Sequence, residues 1–97
     1  MQFIQILEFR TSKIDKIRAM DDEWRAATEG TRTLRRSILC QDRNDPARHL
    51  VFAFFDSPES AQVNSDLPAT AAFASQVNGV VDAPLGFQDL DVIEDRA

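Results

Sequence analysis

The stretch His49 to Asp56, HLVFAFFD, decides the fold. Leu50, Phe52 and Phe54 point one way from an extended chain, and Val51, Ala53 and Phe55 point the other. A strand that is apolar on both sides has to be covered on both sides, so it belongs in the middle of a sheet. The opening run Gln2 to Arg10, QFIQILEFR, has the same character: Phe3, Leu7 and Phe9 fall on one face and Ile4 and Ile6 on the other. Two central strands are therefore expected.

The remaining strands are half polar, as sheet edges should be. Thr31 to Asp42 places Leu34, Ile38 and Cys40 on one face, with Thr33, Arg35, Ser37 and Gln41 sharing the other with Leu39. Asn44-Asp45-Pro46 then reads as a turn. Gly86 opens a last strand to about Glu94, in which Phe87 and Ile93 lie beside Asp89 and Asp91. Arg32, Arg35 and Arg36 form a basic cluster whose plainest role is edge protection, one of them having the option of holding an anionic group.

Helices fill the gaps. Ile14, Ile17, Met20, Trp24 and Ala27 recur at steps of three and four and form one apolar stripe. Ser12 and Asp15 match a loose capping box before the stripe, and Gly30 is the stop after it. Ser57, followed by Pro58 and Glu59, caps a second helix to about Asn64. That helix breaks at Leu67, because a residue before proline avoids the helical region. Asp66 is placed to cap the restart at Pro68, after which Ala69, Phe73 and Val77 form a stripe. Val80 to Leu85 connects to the last strand.

The order is β-α-β-β-α-β, a ferredoxin-like α+β arrangement with one antiparallel sheet, helices on one face and strand order 4-1-3-2. Two helices leave the other sheet face bare. Its Phe and Leu side chains make a larger apolar patch than a monomer ordinarily exposes, so a homodimer is expected.

Composition bounds the function. Ninety-seven residues suit a single domain over 1–97, and an apolar share of 43% is that of a globular protein. A net charge of −5 argues against binding along a phosphate backbone, so no nucleic-acid partner is expected. No apolar run spans a bilayer, and Gln2, Gln5, Glu8 and Arg10 interrupt any signal-like stretch, so the expectation is a cytoplasmic protein without membrane attachment. One cysteine, Cys40, and one histidine, His49, cannot build a closed metal site, and no metal or cofactor is expected. Cys40 reads as a small apolar residue, His49 as a surface or strand-end imidazole, and the acids from Asp89 to Asp95 as a solubilising face.

The stretch Phe55 to Phe73, FDSPESAQVNSDLPATAAF, resembles the antibiotic-biosynthesis-monooxygenase-like proteins of the dimeric α/β-barrel superfamily. Phe55, Asp56 and Ser57 match an aromatic-acid-Ser strand exit. Asn64 stands four residues before Pro68, and Phe73 five after it. The resemblance implies a ferredoxin-like subunit, a dimer, and a cavity under the broken helix. It also brings cofactor-independent oxygenation of an aromatic or polyketide-like substrate into view. This sequence departs from oxygenase members that carry Trp at the position of Phe55, His at Asn64 and an acid at Ala53. No helix histidine is present for haem ligation, as in the haem-degrading relatives. What remains is a small-molecule-binding dimer without an evident catalytic set, with a monooxygenase-like enzyme as the alternative.

Candidate ligand contacts are Gln5 and Glu8, polar within a central apolar strand, with Trp24, Phe55, Asn64 and Phe73. Two roles are open for Asn64: it caps the first helical piece, or it supplies a polar group to a mainly apolar pocket. Trp24, on the apolar helix stripe, reads first as core and only second as a stacking surface for a ligand.

Overall fold

The computed structural model describes residues 2–97. The elements are β1 (Phe3–Arg10), α1 (Ile14–Ala27), β2 (Arg36–Asp42), β3 (Asp45–Phe55), α2 (Pro58–Asp66), α3 (Pro68–Asn78) and β4 (Gly86–Asp91). They form one four-stranded sheet in the order β2-β3-β1-β4, every neighbouring pair antiparallel. The two strands with apolar residues on both faces are the two central ones.

Register fixes which side chains share a face. Phe3 lies opposite Phe55, Leu7 opposite Val51, and Phe9 opposite His49. Odd-numbered residues of β1, β2 and β3 therefore face the helices, and even-numbered ones face away. Two clusters pin the helices to the sheet at opposite ends of the strands. Phe3, Phe55 and Ala61 make one, and Phe9, Ile17 and Val77 the other. Each buried Phe among them is worth roughly 1.5–3 kcal/mol of transfer free energy.

Several boundaries differ from the sequence expectation. β2 starts at Arg36 rather than Thr31, because residues before it are taken up by the exit from α1. Gly30 adopts φ +81°, which a side chain would resist, and the Thr31 and Arg32 amides turn back to the Thr28 carbonyl. β3 starts at Asp45, four residues early, since the turn is tighter than Asn44-Asp45-Pro46 suggested. β4 ends at Asp91 rather than Glu94. The Ser12–Asp15 box does not form. Lys13 is the N-cap without a side-chain bond, and the Thr11 hydroxyl accepts the Lys13 amide instead.

The helix break is where proline puts it. Leu67 is extended, with φ −63° and ψ 133°, and ends α2 as it begins α3. Asp66 does not cap the restart; it accepts a hydrogen bond from Gln62 within α2. Ser57 caps α2 as expected, its hydroxyl accepting the Ser60 amide at 3.1 Å.

The face away from the helices carries Ile4, Ile6, Ile38, Leu50, Phe52 and Phe54, framed at one end by charges. Arg10 and Arg48 are directly opposed on β1 and β3, an arrangement that repels unless each is neutralised. Asp45 takes Arg10 in a two-point pair, and Arg48 bridges Glu8 and Asp42. Asp45 is held below the usual carboxylate range by its hydrogen bond from Arg10. Asp42 is lowered first by the Asn44 amide and then by Arg48. Carboxylates lowered in the fold stabilise it above the unfolded value of about 3.9, and that contribution is lost as pH falls through the lower folded values. Stability is therefore expected to be flat in these groups from neutrality to about pH 5 and to decline below about pH 4. In Arg48→Met, an NMR titration should show the Asp42 midpoint rising while the bond from Asn44 keeps part of the depression.

Candidate functional site

Between the two pinning clusters the helices stand off the sheet and leave a chamber of about 590 Å³. Leu7, Val51, Ala53 and Phe55 form its floor, and Trp24 and Phe73 its roof. A space of this size, lined mostly by apolar groups, falls within the range of ordinary small-molecule sites. Asp15, Arg18, Asp21 and Asp22 of α1 edge it, and Phe87 of β4, 60% exposed, stands at its far side.

The roof is built on one contact between helices. Trp24 is buried by the apolar stripe of α1, and its indole N–H donates to Thr70 Oγ1 of α3 at 2.9 Å. Its ring meets Phe73 at 6.2 Å between centroids, tilted by 45°. The guanidinium groups of Arg25 and Arg32 each lie 6.0 Å from its ring centre, an attraction worth roughly 0.5–1 kcal/mol at an accessible site. Arg25 is itself fixed, donating through Nε to Asp21 at 2.8 Å and through Nη2 to Ser37 Oγ at 2.7 Å.

Asn64 lies on the inner side of α2, buried to 7% exposure. Its Oδ1 accepts the Thr33 amide at 3.3 Å, and the neighbouring Thr33 hydroxyl donates to the Ser60 carbonyl. Asn64 thus ties the approach to β2 onto α2 and does not cap a helix. Because an amide N–H demands an acceptor, the Asn64 oxygen points at Thr33 and its NH₂ group points elsewhere. Among the described residues that NH₂ has no protein acceptor, yet no fully buried side-chain polar atom lacks a partner. The NH₂ group is therefore not fully enclosed, and Asn64 is one of the residues lining the chamber.

Of the six ligand contacts expected from sequence, five line the chamber: Gln5, Trp24, Phe55, Asn64 and Phe73. Glu8 does not. It has even parity on β1, faces away from the helices, and is engaged by Arg48 at 3.0 Å. His49 also departs from expectation. It is 3% exposed rather than at the surface, stacked on Phe9 with centroids 5.4 Å apart and planes 11° from parallel. Its Nδ1–H donates to the Ala47 carbonyl at 2.9 Å, and it lies outside the chamber lining. Its odd parity with Val51, Ala53 and Phe55 was the signal that placed it inside. Ser37 and Thr70 were passed over. Thr70 sits three residues before Phe73, on the same helix face, and Ser37 alternates with Leu39, so both were findable once the chamber side was known.

The charged side chains near the basic cluster are mostly committed. Arg35 pairs with Asp56 at 2.7 Å, and Arg32 donates to the Arg25 carbonyl. Arg36 lies on the outward face, 5.8 Å from the Phe54 ring centre. Among the described residues no group of three His, Cys, Asp or Glu side chains is gathered as a metal site. None of the helices described is long and apolar enough to cross a membrane.

The chain superposes on Rv0793 from Mycobacterium tuberculosis with a TM-score of 0.80 at 15% identity, covering 100% of both chains. The fold is that of the antibiotic-biosynthesis-monooxygenase-like proteins. SnoaB, a cofactor-independent oxygenase from Streptomyces nogalater, aligns with a TM-score of 0.81 at 8% identity over 97% of this chain and 95% of that one. An antibiotic biosynthesis monooxygenase aligns at 0.75 and 13% identity, over 97% and 100%. No protein-family model matches the chain, and no curated protein matches it. At these identities the likeness is one of fold, and the chemistry rests on the residues themselves.

Removing the Thr70 acceptor tests the roof. Thr70→Val keeps the side-chain shape but strands a buried indole N–H, and is expected to cost about 1–3 kcal/mol. Thr70→Ser, which keeps the oxygen, should cost clearly less. Urea unfolding of both variants followed by circular dichroism makes the comparison.

Proposed function

We propose that the protein binds a small, largely aromatic molecule in the chamber and works as a homodimer joined through the outward sheet face. The observation that carries the binding reading is the chamber itself: about 590 Å³ of space, apolar on floor and roof, with a few polar groups directed into it. A closed core would have collapsed onto these side chains, since protein interiors tolerate few voids larger than a water molecule. Trp24 and Phe73 offer flat surfaces above, and Ala53, the smallest floor residue, leaves room below. An aromatic molecule of two or three fused rings matches that shape.

The dimer reading rests on the other face. Phe52 and Phe54 lie there among Ile4, Ile6, Ile38 and Leu50, and Leu90 is 43% exposed beside them. A second copy would cover this patch with an identical one, the self-complementary arrangement that two-fold symmetry supplies.

The alternative is catalysis. SnoaB, similar in fold, is a cofactor-independent oxygenase, and that supports testing oxygen chemistry. The chamber lining contains no histidine, cysteine or tyrosine, and its carboxylates, Asp15, Asp21 and Asp22, stand at its edge, with Asp21 taken by Arg25. Binding without turnover is therefore the reading favoured.

Trp24 is the single tryptophan and the chain has no tyrosine, so intrinsic emission reports on the chamber roof alone. Titration with anthrone is expected to quench that emission saturably, and Val51→Trp, which fills the floor, to weaken the effect by at least about tenfold. An oxygen electrode run on the same samples separates the two readings: uptake proportional to anthrone identifies an oxygenase, and saturable quenching without uptake identifies a binding protein. For the dimer, Phe52→Asp is expected to yield monomers or unfolded chain in sedimentation, whereas Val51→Asp disturbs the chamber without a direct effect on association. A wild-type monomer at micromolar concentration overturns the dimer.

A further inference from the structure

Trp24 and Phe73 roof the chamber, and the same two residues line a second, smaller hollow on their outer side. That hollow lies between α1 and α3 and measures about 160 Å³. Met20 and Ala27 border it on one helix, and Ala69, Ala72 and Gln76 on the other. Ala27, Ala72 and Gln76 are exposed, so the hollow opens to solvent. The two rings thus stand between the chamber and an outer opening. They are held very differently. Trp24 is 7% exposed, bonded to Thr70 at 2.9 Å and flanked by the guanidinium groups of Arg25 and Arg32. Phe73 is half-buried and held by apolar contact alone: a tilted meeting with Trp24 at 6.2 Å, and packing on the cluster of Phe9, Ile17 and Val77.

We infer that Phe73 is a gate: its ring swings from the roof into the hollow between α1 and α3 and admits a ligand to the chamber between the helices. This rests on the ligand-binding reading above and adds the way in. Size permits the movement. A cavity of about 150 Å³ is enough to hold a benzene ring, and Ala27, Ala69 and Ala72 leave about 160 Å³. The displaced ring exchanges one apolar setting for another, breaks no hydrogen bond, and keeps Trp24 as a neighbour, because Trp24 lines both spaces. A state that close in free energy is populated at about 0.1–10%. The bond from Trp24 to Thr70 meanwhile keeps the helices in place, so passage needs a side-chain rotation and no separation of α1 from α3. The chamber's border along α1 suits an apolar molecule less. Asp15, Arg18 and Asp22 are exposed there, with Asp21 taken by Arg25. A ring system pressed past that lip strips water from charged groups. The route past Phe73 is walled by Met20 and three alanines, with Glu23 and Gln76 beside them.

The test follows anthrone association and dissociation with the full chain by stopped-flow quenching of Trp24 emission. Ala72→Leu fills the hollow from a position outside the chamber lining. It is expected to slow both rates by at least about tenfold, through loss of the open minor state, and to leave the equilibrium Kd within about twofold. Phe73→Ala removes the ring and should speed both rates. Adding Ala72→Leu to Phe73→Ala should then change little, because no ring remains to be blocked. Unchanged rates in folded Ala72→Leu overturn the gate and put entry at another border of the chamber. Equal slowing by Ala72→Leu with and without the Phe73 ring also overturns it, since the leucine then obstructs by itself. Should Ala72→Leu fail to fold, as judged by circular dichroism, Ala27→Leu fills the same hollow from α1 and takes its place. If anthrone quenches nothing, the binding reading falls and the ring is followed without a ligand. In protein labelled with 4-fluorophenylalanine, the Phe73 fluorine is identified by its loss in Phe73→Ala. It is expected to show microsecond-to-millisecond exchange that Ala72→Leu suppresses. The fluorine lies on the axis of ring flips, so only displacement of the ring is seen. The same relaxation in both proteins overturns the gate.

Discussion

The contact between Trp24 and Thr70 is the constraint on which the rest of the arrangement depends. Two helices laid on a sheet would ordinarily settle into it until no space remained. Here α1 and α3 are joined to each other by an indole-to-hydroxyl bond and by the ring of Phe73. They are tied to the sheet through the apolar clusters around Ile17 and Val77 at one end and Ala61 at the other, and through the bond from Arg25 to Ser37 of β2. The helices act as an arch whose feet are apolar clusters and whose span is held by a polar bond. What lies under the span is the chamber.

The break at Leu67-Pro68 makes that arch possible. A continuous helix from Pro58 to Asn78 would have to run straight, and one helix cannot both dock Ala61 beside Phe3 and Phe55 and bring Thr70 up to Trp24. The extended residue at Leu67 lets α2 lie against β3 while α3 turns to meet α1. The asparagine beside the break is then explained by the loop it fastens. Thr33, leading into β2, has its amide taken by Asn64 and its hydroxyl taken by Ser60. A segment that looked like strand in sequence is instead bound to α2 by its own polar groups.

Most of the architecture was legible because burial on two faces is written as an unbroken apolar run, and only central strands need it. QFIQILEFR and HLVFAFFD gave the strand order for that reason. The proline rule placed the break correctly. Capping was read poorly: Ser12, Asp15 and Asp66 are the right residue types, but each competed with a neighbour that held the amide or carboxylate first. Thr11 took the place of Ser12, and Gln62 engaged Asp66. The lining of the chamber was partly legible. Gln5, Trp24, Phe55, Asn64 and Phe73 could be named because polarity or aromaticity stands out on an otherwise predictable face. Glu8 was misjudged because a polar residue in an apolar strand has two faces to choose between, and the partner that decided, Arg48, is 40 residues away. His49 was misjudged by treating its place next to a turn as more telling than its parity.

That parity has a consequence for how such a protein can change over evolutionary time. Along β3, successive residues serve two different surfaces: Val51, Ala53 and Phe55 floor the chamber, and Leu50, Phe52 and Phe54 furnish the outward face. Substitutions at odd positions can reshape the chamber while the outward face stays as it is, and the reverse holds at even positions. Insertion or deletion of one residue would instead exchange the two sets wholesale, sending the large aromatic rings into the chamber and the small floor residues outside. The strand can therefore drift in composition but not in length, and variation in chain length should gather in the turn at Asp42–Asp45 and in the connection from Val80 to Leu85.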